Sequence, residues 1–372
     1  MTAPRFRDSA AKHLARAVWR AGLALHARIS APAVRRGDGP RVYYGGARAG
    51  DRGGPLVKVA KLAEAFPERR WGYNLIYALS NAPYLSAATL ARLKGRGVAV
   101  VSNQNGVYFP AWYGGDCAAE NRRMAVAHGL ADHVFYQSEF CRRSAEKFLG
   151  SRSGPSEILY NAIDCHRFAP AGDRDRRAKG CVFLVAGKIG AHQSYRVTRP
   201  IEALALVRSQ GLDAKLRVVG PVDATARAAA EAVAGRSGIS DAVEFSGPYA
   251  QAEAPSVFAN ADAFVTVTHN DSCPSTVIEA MASGLPVVYA NSGGVPELVG
   301  DAAGLAVETG ESWDQPMVPA APAVADAMLG VASRREAFAP AARARAVERF
   351  DLAPWIERHR RVFDTLVEGR RG

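Results

Sequence analysis

The sequence predicts an α/β protein of two doubly wound, Rossmann-like domains facing across a cleft. Three observations predict it. Short apolar runs alternate with helical stretches in two successive series. A charged segment with Pro and Gly, Pro170–Lys179, interrupts the rhythm between them. The length of 372 residues suits two domains, at roughly 100–200 residues each.

The first element is a helix over Ala10–Ile29. Leu14, Val18, Leu25 and Ile29 recur on one face with Trp19 beside them, and Lys12, Arg16 and Arg20 lie elsewhere. Such a helix either lies in an anionic membrane surface or docks as an ordinary surface helix. Residues 1–40 are set apart as this basic region. A first domain spans 41–172. Its strands are expected at Arg41–Gly46, Tyr73–Leu79, Val98–Ser102, His133–Gln137 and Glu157–Leu159, with a helix at Lys58–Phe66. The second domain spans 173–350. Its strands are expected at Cys181–Ala186, Leu216–Val219, Val243–Phe245, Ala263–Val267, Pro286–Ala290 and Leu305–Val307. Helices are expected at Pro200–Gln210, Thr225–Ala234 and Val277–Ala282. A last helix, Ala353–Glu368 within 351–372, is free to close either domain.

The net charge of +11 fits an anionic partner, with much of the excess in the first forty residues. No zinc-finger spacing or RNA-recognition signature accompanies it, so nucleic acid is not expected. Five widely spaced cysteines without a C-x-x-C pair argue against a disulfide framework and a zinc site. With no apolar h-region at the N-terminus and no run long enough to span a bilayer, a cytoplasmic protein is expected, peripheral on the inner face of the cell membrane if the helix binds lipid.

Two glycine-bearing turns suit anions. Gly45-Gly46, Gly50, Gly53 and Gly54 stand between the first strand and its helix, where backbone amides can approach a phosphate. They match neither a dinucleotide fingerprint nor a P-loop, and they can be plain turns. Gly187-Lys188 follows the first strand of the second series, with Arg196 and Arg199 next. Cations there face a ligand at the carboxyl end of the sheet, or are surface charge.

The most informative stretch runs from His269 to Val288. A strand leads into a polar loop with Asp271. A helix follows with Glu279, and Gly284 ends it. The amides of Ser275, Thr276 and Val277 suit a phosphate, and Glu279 suits a ribose diol. The alternative for Thr276-x-x-Glu279 is a capping box, which would serve only the helix.

This segment resembles the donor-binding signature of family 4 glycosyltransferases, which have the GT-B fold. Asp271 and Glu279 have the family's acidic spacing. Ala280-Met281-Ala282, Gly284, Pro286-Val287-Val288 and Gly293-Gly294-Val295-Pro296-Glu297 follow as in its pattern. Gly53-Gly54, Tyr160–Asp164 and Gly187-Lys188 agree with it elsewhere, and only the first forty residues lie outside. The resemblance implies a retaining, metal-independent transferase of hexosyl type. A UDP- or GDP-sugar would be its co-substrate and no cofactor is expected. It implies that Lys188 and a second cation, Arg196 or Arg199, hold the donor diphosphate. Glu279 would bind the ribose and Asp271 the transferred sugar. Amides of Ser275–Val277 and the Gly53-Gly54 loop would meet the donor. Lys188, Arg199, Asp271 and Glu279 are carried over as the catalytic set. Asp271 stands where Glu is usual, and Asn105-Gly106 where His-Gly is common, which takes a proton acceptor from that position.

On the acceptor side, Asn105, Tyr108 and Trp112 lie in a stretch rich in amides and aromatics, suited to hydroxyls and sugar rings, or simply a packed loop. The expected acceptor is a glycan, a lipid-linked or a small molecule, in cell-surface polysaccharide assembly. The competing readings are a nucleotide-sugar epimerase or a phosphorylase on the same fold, and a degenerate sugar-nucleotide-binding subunit.

Overall fold

The computed structural model describes residues 10–30, 39–47, 49–50, 54–81, 84–170 and 180–369. The chain divides into two compact units, 1–160 with 353–372, and 161–352. Residues 171–179, most of the charged interruption and the expected boundary within it, lie outside the described residues, as does Gly53.

The first unit opens with α1 (Ala10–Ser30), β1 (Val42–Tyr43), α2 (Gly54–Ala65), β2 (Leu75–Leu79) and α3 (Ala87–Gly95). It continues through β3 (Ala99–Gln104), α4 (Cys117–Leu130), β4 (His133–Tyr136), α5 (Glu139–Leu149) and β5 (Ser156–Ile158). The five strands are parallel and lie in sequence order, β1-β2-β3-β4-β5. β1 is shorter than the run Arg41–Gly46 suggests. Gly45 and Gly46 adopt φ of 63° and 92°, left-handed geometry that ends the ladder.

Hydroxyl and carboxylate side chains start the helices. Ser86, Asp116 and Ser138 accept the amides of Thr89, Ala119 and Cys141 at the N-termini of α3, α4 and α5. The last helix (Leu352–Glu368) packs into this unit through His359. That imidazole meets the Tyr77 hydroxyl at 3.0 Å and the rings of Phe135 and Trp355 at 4.5 and 4.1 Å. His359 is fully buried, and burial drives it down to about 3. Arg358 adds a two-pronged bond to Glu157.

The second unit runs through β6 (Cys181–Ala186), α6 (Tyr195–Ser209), β7 (Ala214–Val219), α7 (Ala224–Arg236), β8 (Val243–Gly247) and α8 (Ala254–Ala259). It continues through β9 (Ala263–Thr266), α9 (Ser275–Ala282), β10 (Val287–Ala290), α10 (Val295–Val299), β11 (Gly304–Val307), α11 (Ala321–Ser333) and α12 (Arg335–Phe350), and leads into the last helix, α13. All pairings are parallel, in the order β11-β10-β9-β6-β7-β8. The chain winds outward from β6 to β8, returns to the other side of β6, and winds outward again. The reversal falls between β6 and β9. Helices must leave adjacent strand ends in opposite directions there, which opens a crevice at the carboxyl edge. Phe183, Leu184, Val265, Val287 and Val288 are buried within this sheet, as near-continuous apolar strands covered on both faces must be. Arg343 fixes α9 by donating to the carbonyls of Ala282 and Phe168.

Candidate functional site

The site is built on β6 and β9. β6 ends in Gly187, whose φ of 129° turns Lys188 out into solvent. Gly220, after β7, has φ of 121°, and a Cβ there would collide with the Gly187 carbonyl. The Gly220 amide donates to Gly247 at 2.7 Å. Three glycines therefore line up at the carboxyl ends of β6, β7 and β8. Sequence reading finds only Gly187, because Gly220 and Gly247 sit in no recognised motif; a glycine recurring at each strand end was the available signal.

Arg196, in the first turn of α6, reaches back over this edge. Its Nη1 donates to the Lys188 carbonyl at 3.0 Å and to Gln193 Oε1 at 3.3 Å. A Cβ on Gly187 would stand 3.6 Å from its Nη2. Its Nε is buried without a hydrogen-bond partner. Burial lowers the Arg196 guanidinium, while Asp271 and Tyr195 oppose that shift; an arginine stays charged at any working pH. Arg199, one turn on, is committed to Glu202 at 2.7 Å, although its Nε is also unbonded. Of the two candidate cations, Arg196 is thus the one at the strand edge beside Asp271.

β9 delivers the loop His269–Pro274. Burial pushes the Asp271 carboxyl up, and Arg196 and the amides of Cys273 and Ser272 pull it down. Asn270 holds φ of 53°, a left-handed position, with its amide on Ser292 Oγ and its side chain on the Ser312 carbonyl. His269 Nε2 lies 2.8 Å from that same carbonyl. A carbonyl only accepts, so Nε2 carries the proton and Nδ1 is a bare acceptor. Nδ1 is buried and has no partner. Unbonded polar atoms in a buried site demand an explanation, and a polar ligand is one.

Gly293 explains why two glycines follow β10. At φ of 68°, a Cβ there would stand 2.5 Å from the Asp271 carbonyl oxygen, and the Gly294 amide donates to that oxygen at 2.8 Å. The Gly-Gly turn braces the acidic loop by backbone contact that a side chain would block.

α9 begins after Pro274, whose side chain cannot cap it. Thr276 is therefore the second helical residue and Glu279 the fifth, so the capping box proposed for Thr276 and Glu279 is not formed. That box needs its hydroxyl at the residue before the helix. The Val277 amide is given to the Pro274 carbonyl at 3.1 Å. Ser275 and Thr276 amides remain as first-turn donors without an intrahelical acceptor. Glu279 is only 6% exposed. The Tyr249 phenol is pushed up mainly by burial, then by Glu279. The loop is tied below by Asn161, whose Nδ2 donates to the Cys273 carbonyl at 2.7 Å. All five cysteines are free thiols.

The expected acceptor residues lie in the first unit. Asn105 donates to Asn81 Oδ1 at 3.1 Å and accepts from Gln137 Nε2 at 2.9 Å. Tyr108 is held by Asn121 through both backbone groups and packs on Tyr113 at 4.7 Å. The Trp112 amide donates to Phe109. Lys58, which sequence reading passes over, is buried with its ammonium 2.8 Å from Asn103 Oδ1 at the end of β3. An isolated lysine in an amphipathic helix carries no local signal of burial.

Residues 180–331 match the family model described as Glycosyl transferases group 1. Over 252 residues the chain is 33% identical to a D-inositol 3-phosphate glycosyltransferase of Actinosynnema mirum, covering 62% of this chain and 54% of that protein. Over 193 residues it is 30% identical to a GDP-mannose-dependent monoacylated alpha-(1-6)-phosphatidylinositol monomannoside mannosyltransferase of Corynebacterium glutamicum, covering 48% and 49%. The chain spans about half the length of these curated relatives. Among solved structures it is similar to HepE of Anabaena in complex with UDP, at TM-score 0.62 and 19% identity over 84% of this chain and 82% of that one. It is also similar to sucrose-phosphate synthase of Thermosynechococcus elongatus, at TM-score 0.64 and 18% identity over 85% and 78%. The fold is the two-domain α/β GT-B fold, and the match to the group 1 glycosyltransferase model falls within the second unit.

Proposed function

We propose that this chain is a retaining glycosyltransferase that moves a hexosyl group from a UDP- or GDP-sugar to a glycan, lipid-linked or small-molecule acceptor in cell-surface polysaccharide assembly. The observation that carries the reading is Arg196, a half-buried cation folded over Gly187 beside Asp271 at the β6–β9 reversal. A diphosphate seated there meets Arg196, Lys188 and the free amides of Ser275 and Thr276 together. Charge develops on the leaving phosphate as the glycosidic bond breaks, and fixed cations and a helix N-terminus stabilise it without reorganising. Glu279 takes the ribose hydroxyls. Asp271 takes hydroxyls of the transferred sugar, with His269 Nδ1 as a further acceptor. Attack comes from the side on which the diphosphate departs, and the diphosphate receives the acceptor's proton. Lys188 and Arg196 supply the positive charge, so neither metal nor cofactor enters this reading.

The relatives' names support the donor and acceptor classes of this reading. One is named a D-inositol 3-phosphate glycosyltransferase, and the other a GDP-mannose-dependent mannosyltransferase of a monoacylated phosphatidylinositol monomannoside. Peripheral attachment to an anionic membrane through residues 10–29 belongs to the same proposal. The stripe Leu14, Val18, Leu25 and Ile29 is 61–67% exposed, while Leu23 and Ala27 face the protein. Docking on the chain's own domain thus uses the other side of α1 and leaves the apolar stripe bare. No helix among the described residues is long and apolar enough to cross a membrane.

Calorimetric titration with UDP-, GDP- and ADP-sugars, followed by assay of released nucleotide, tests the reading. Binding of one donor and slow release of its nucleotide are expected, with Glu279→Ala weakening binding. Absence of binding by all three would sink the transferase, and tight binding with no turnover across varied acceptors would favour a binding subunit.

A further inference from the structure

The first unit contains a cavity of about 770 Å³ beneath one flank of α1, within the roughly 300–1,000 Å³ typical of small-ligand sites. Its walls include Trp19, Leu23, Tyr43, Val59, Ala63 and Trp71. They come from α1, β1, α2 and the segment after α2. Gly46, on the same wall, lets α1 approach; a Cβ there would stand 2.6 Å from Leu23 Cδ1. Among the described residues the charged groups of the lining are Glu68 and Arg70, which pair with each other at 3.0 Å. The described walls are therefore mostly apolar, and their two charges offset each other.

Its position on α1 gives it meaning. Val18, Trp19, Gly22, Leu23 and His26 face the cavity, whereas Arg20, Ala21 and Ala24 face a second groove of about 620 Å³. At 3.6 residues per turn these two sets lie on opposite flanks. The bare stripe Leu14, Val18, Leu25 and Ile29 runs between them, away from the domain. The second groove holds Arg20, Arg122 and Arg123 with Ser86, the cap of α3; Arg123 is shared with Glu120 at 2.6 Å. Trp71, 63% exposed, stands at the cavity edge. An apolar face is thus continuous through Val18 and Trp19 with an apolar cavity, and a basic groove borders its far side.

We propose that this cavity takes one hydrocarbon chain of an anionic membrane lipid, with the lipid's phosphate left toward the arginine groove. The chain enters past Val18 and Trp19 from the bilayer on which the α1 stripe rests. That the lipid is the sugar acceptor rests on the transferase reading; that the cavity binds a hydrocarbon chain does not. Burial of each methylene in such a site is favourable, whereas water gains few partners there.

A brominated stearate, added to the full chain, tests the cavity because bromine quenches nearby tryptophan. Saturable quenching is expected, and the Trp19→Phe/Trp71→Phe variant should lose most of it. Gly22→Phe plugs the cavity mouth. A side chain there meets nothing within 4 Å at its Cβ, and removing a mid-helix glycine does not weaken the helix. Gly22→Phe should raise the apparent Kd for the stearate at least about tenfold. It should still sediment with phosphatidylcholine–phosphatidylglycerol vesicles and still bind the nucleotide sugar. Equal affinity of Gly22→Phe and the parent overturns the proposal. So does quenching that survives loss of both tryptophans, or binding that appears only once residues 1–9 are removed, since the chain's own segment is then the occupant. Loss of nucleotide-sugar binding in the parent itself would count against the transferase and leave the cavity result standing.

Discussion

Arg196→Ala separates the proposed donor site from a surface charge. In the structure the guanidinium lies over Gly187 and beside the half-buried Asp271, and its Nε has no partner. A charge-assisted contact to a phosphate is worth about 1.5–3 kcal/mol. Its loss should weaken binding of the nucleotide diphosphate about 10- to 150-fold. A second effect follows from the same geometry. Burial raises the Asp271 carboxyl and Arg196 opposes it. Without the arginine, Asp271 gains protons at higher pH, so the acid limb of donor binding should move upward. Isothermal titration with UDP and GDP across pH 5–8 reads both, with Arg199→Ala as the control. Arg199 is bonded to Glu202, and its removal should cost less than about threefold if that ion pair is its role. Arg196→Ala with unchanged affinity and an unmoved acid limb, or a larger loss in Arg199→Ala, would refute the assignment.

Two further outcomes are expected. His359 and His128 are held neutral, chiefly by burial, at about 3 and about 4. Unfolded imidazoles titrate near 6.5, so between that value and the folded pKa the unfolded state binds more protons, and stability falls as pH falls. Each should cost about 2 kcal/mol between pH 7 and pH 5. Urea titrations followed by tryptophan fluorescence, to which Trp355 beside His359 contributes, should show this loss, and His359→Phe should remove its share; an unchanged pH slope in that variant would contradict it. Gly293→Ala should lower the melting temperature by several degrees, because left-handed geometry alone costs an alanine about 1–2 kcal/mol. The clash with Asp271 should also weaken nucleotide binding; a variant that melts and binds like the parent would show that the turn does not brace the loop.

Much of the fold was legible because parallel strands buried on both faces read as apolar runs; each of the eleven strands among the described residues overlaps an expected one, including the part-exposed β5 and β8. The boundaries that slipped did so at backbone geometry, as where Gly45 and Gly46 end β1 early. Several helices, among them α5 and α11, were passed over. Ser138 marks the start of α5 plainly, but α11 opens on Ala320 without a side-chain cap and is apolar around much of its surface. At the site, the spacing of Asp271, Glu279 and Gly293-Gly294 was fixed by local chain geometry and could be read directly. The sequence by itself also determined that α1 has an apolar stripe.

Only the tertiary structure decided which side of α1 the protein uses, because a helical pattern shows a stripe but not what covers it. It decided between Arg196 and Arg199, since the choice depends on which guanidinium reaches the edge of β6 and which finds Glu202. It removed the capping box by placing Thr276 inside the helix. It brought Gly220 and Gly187 together from strands separated by a whole helix. The approach of Gly187 and Gly220 joins residues distant in the chain, whereas the contacts of Arg196, Arg199 and Thr276 are short in sequence but depend on where a helix starts and what it packs against; the period of a sequence carries no information about either.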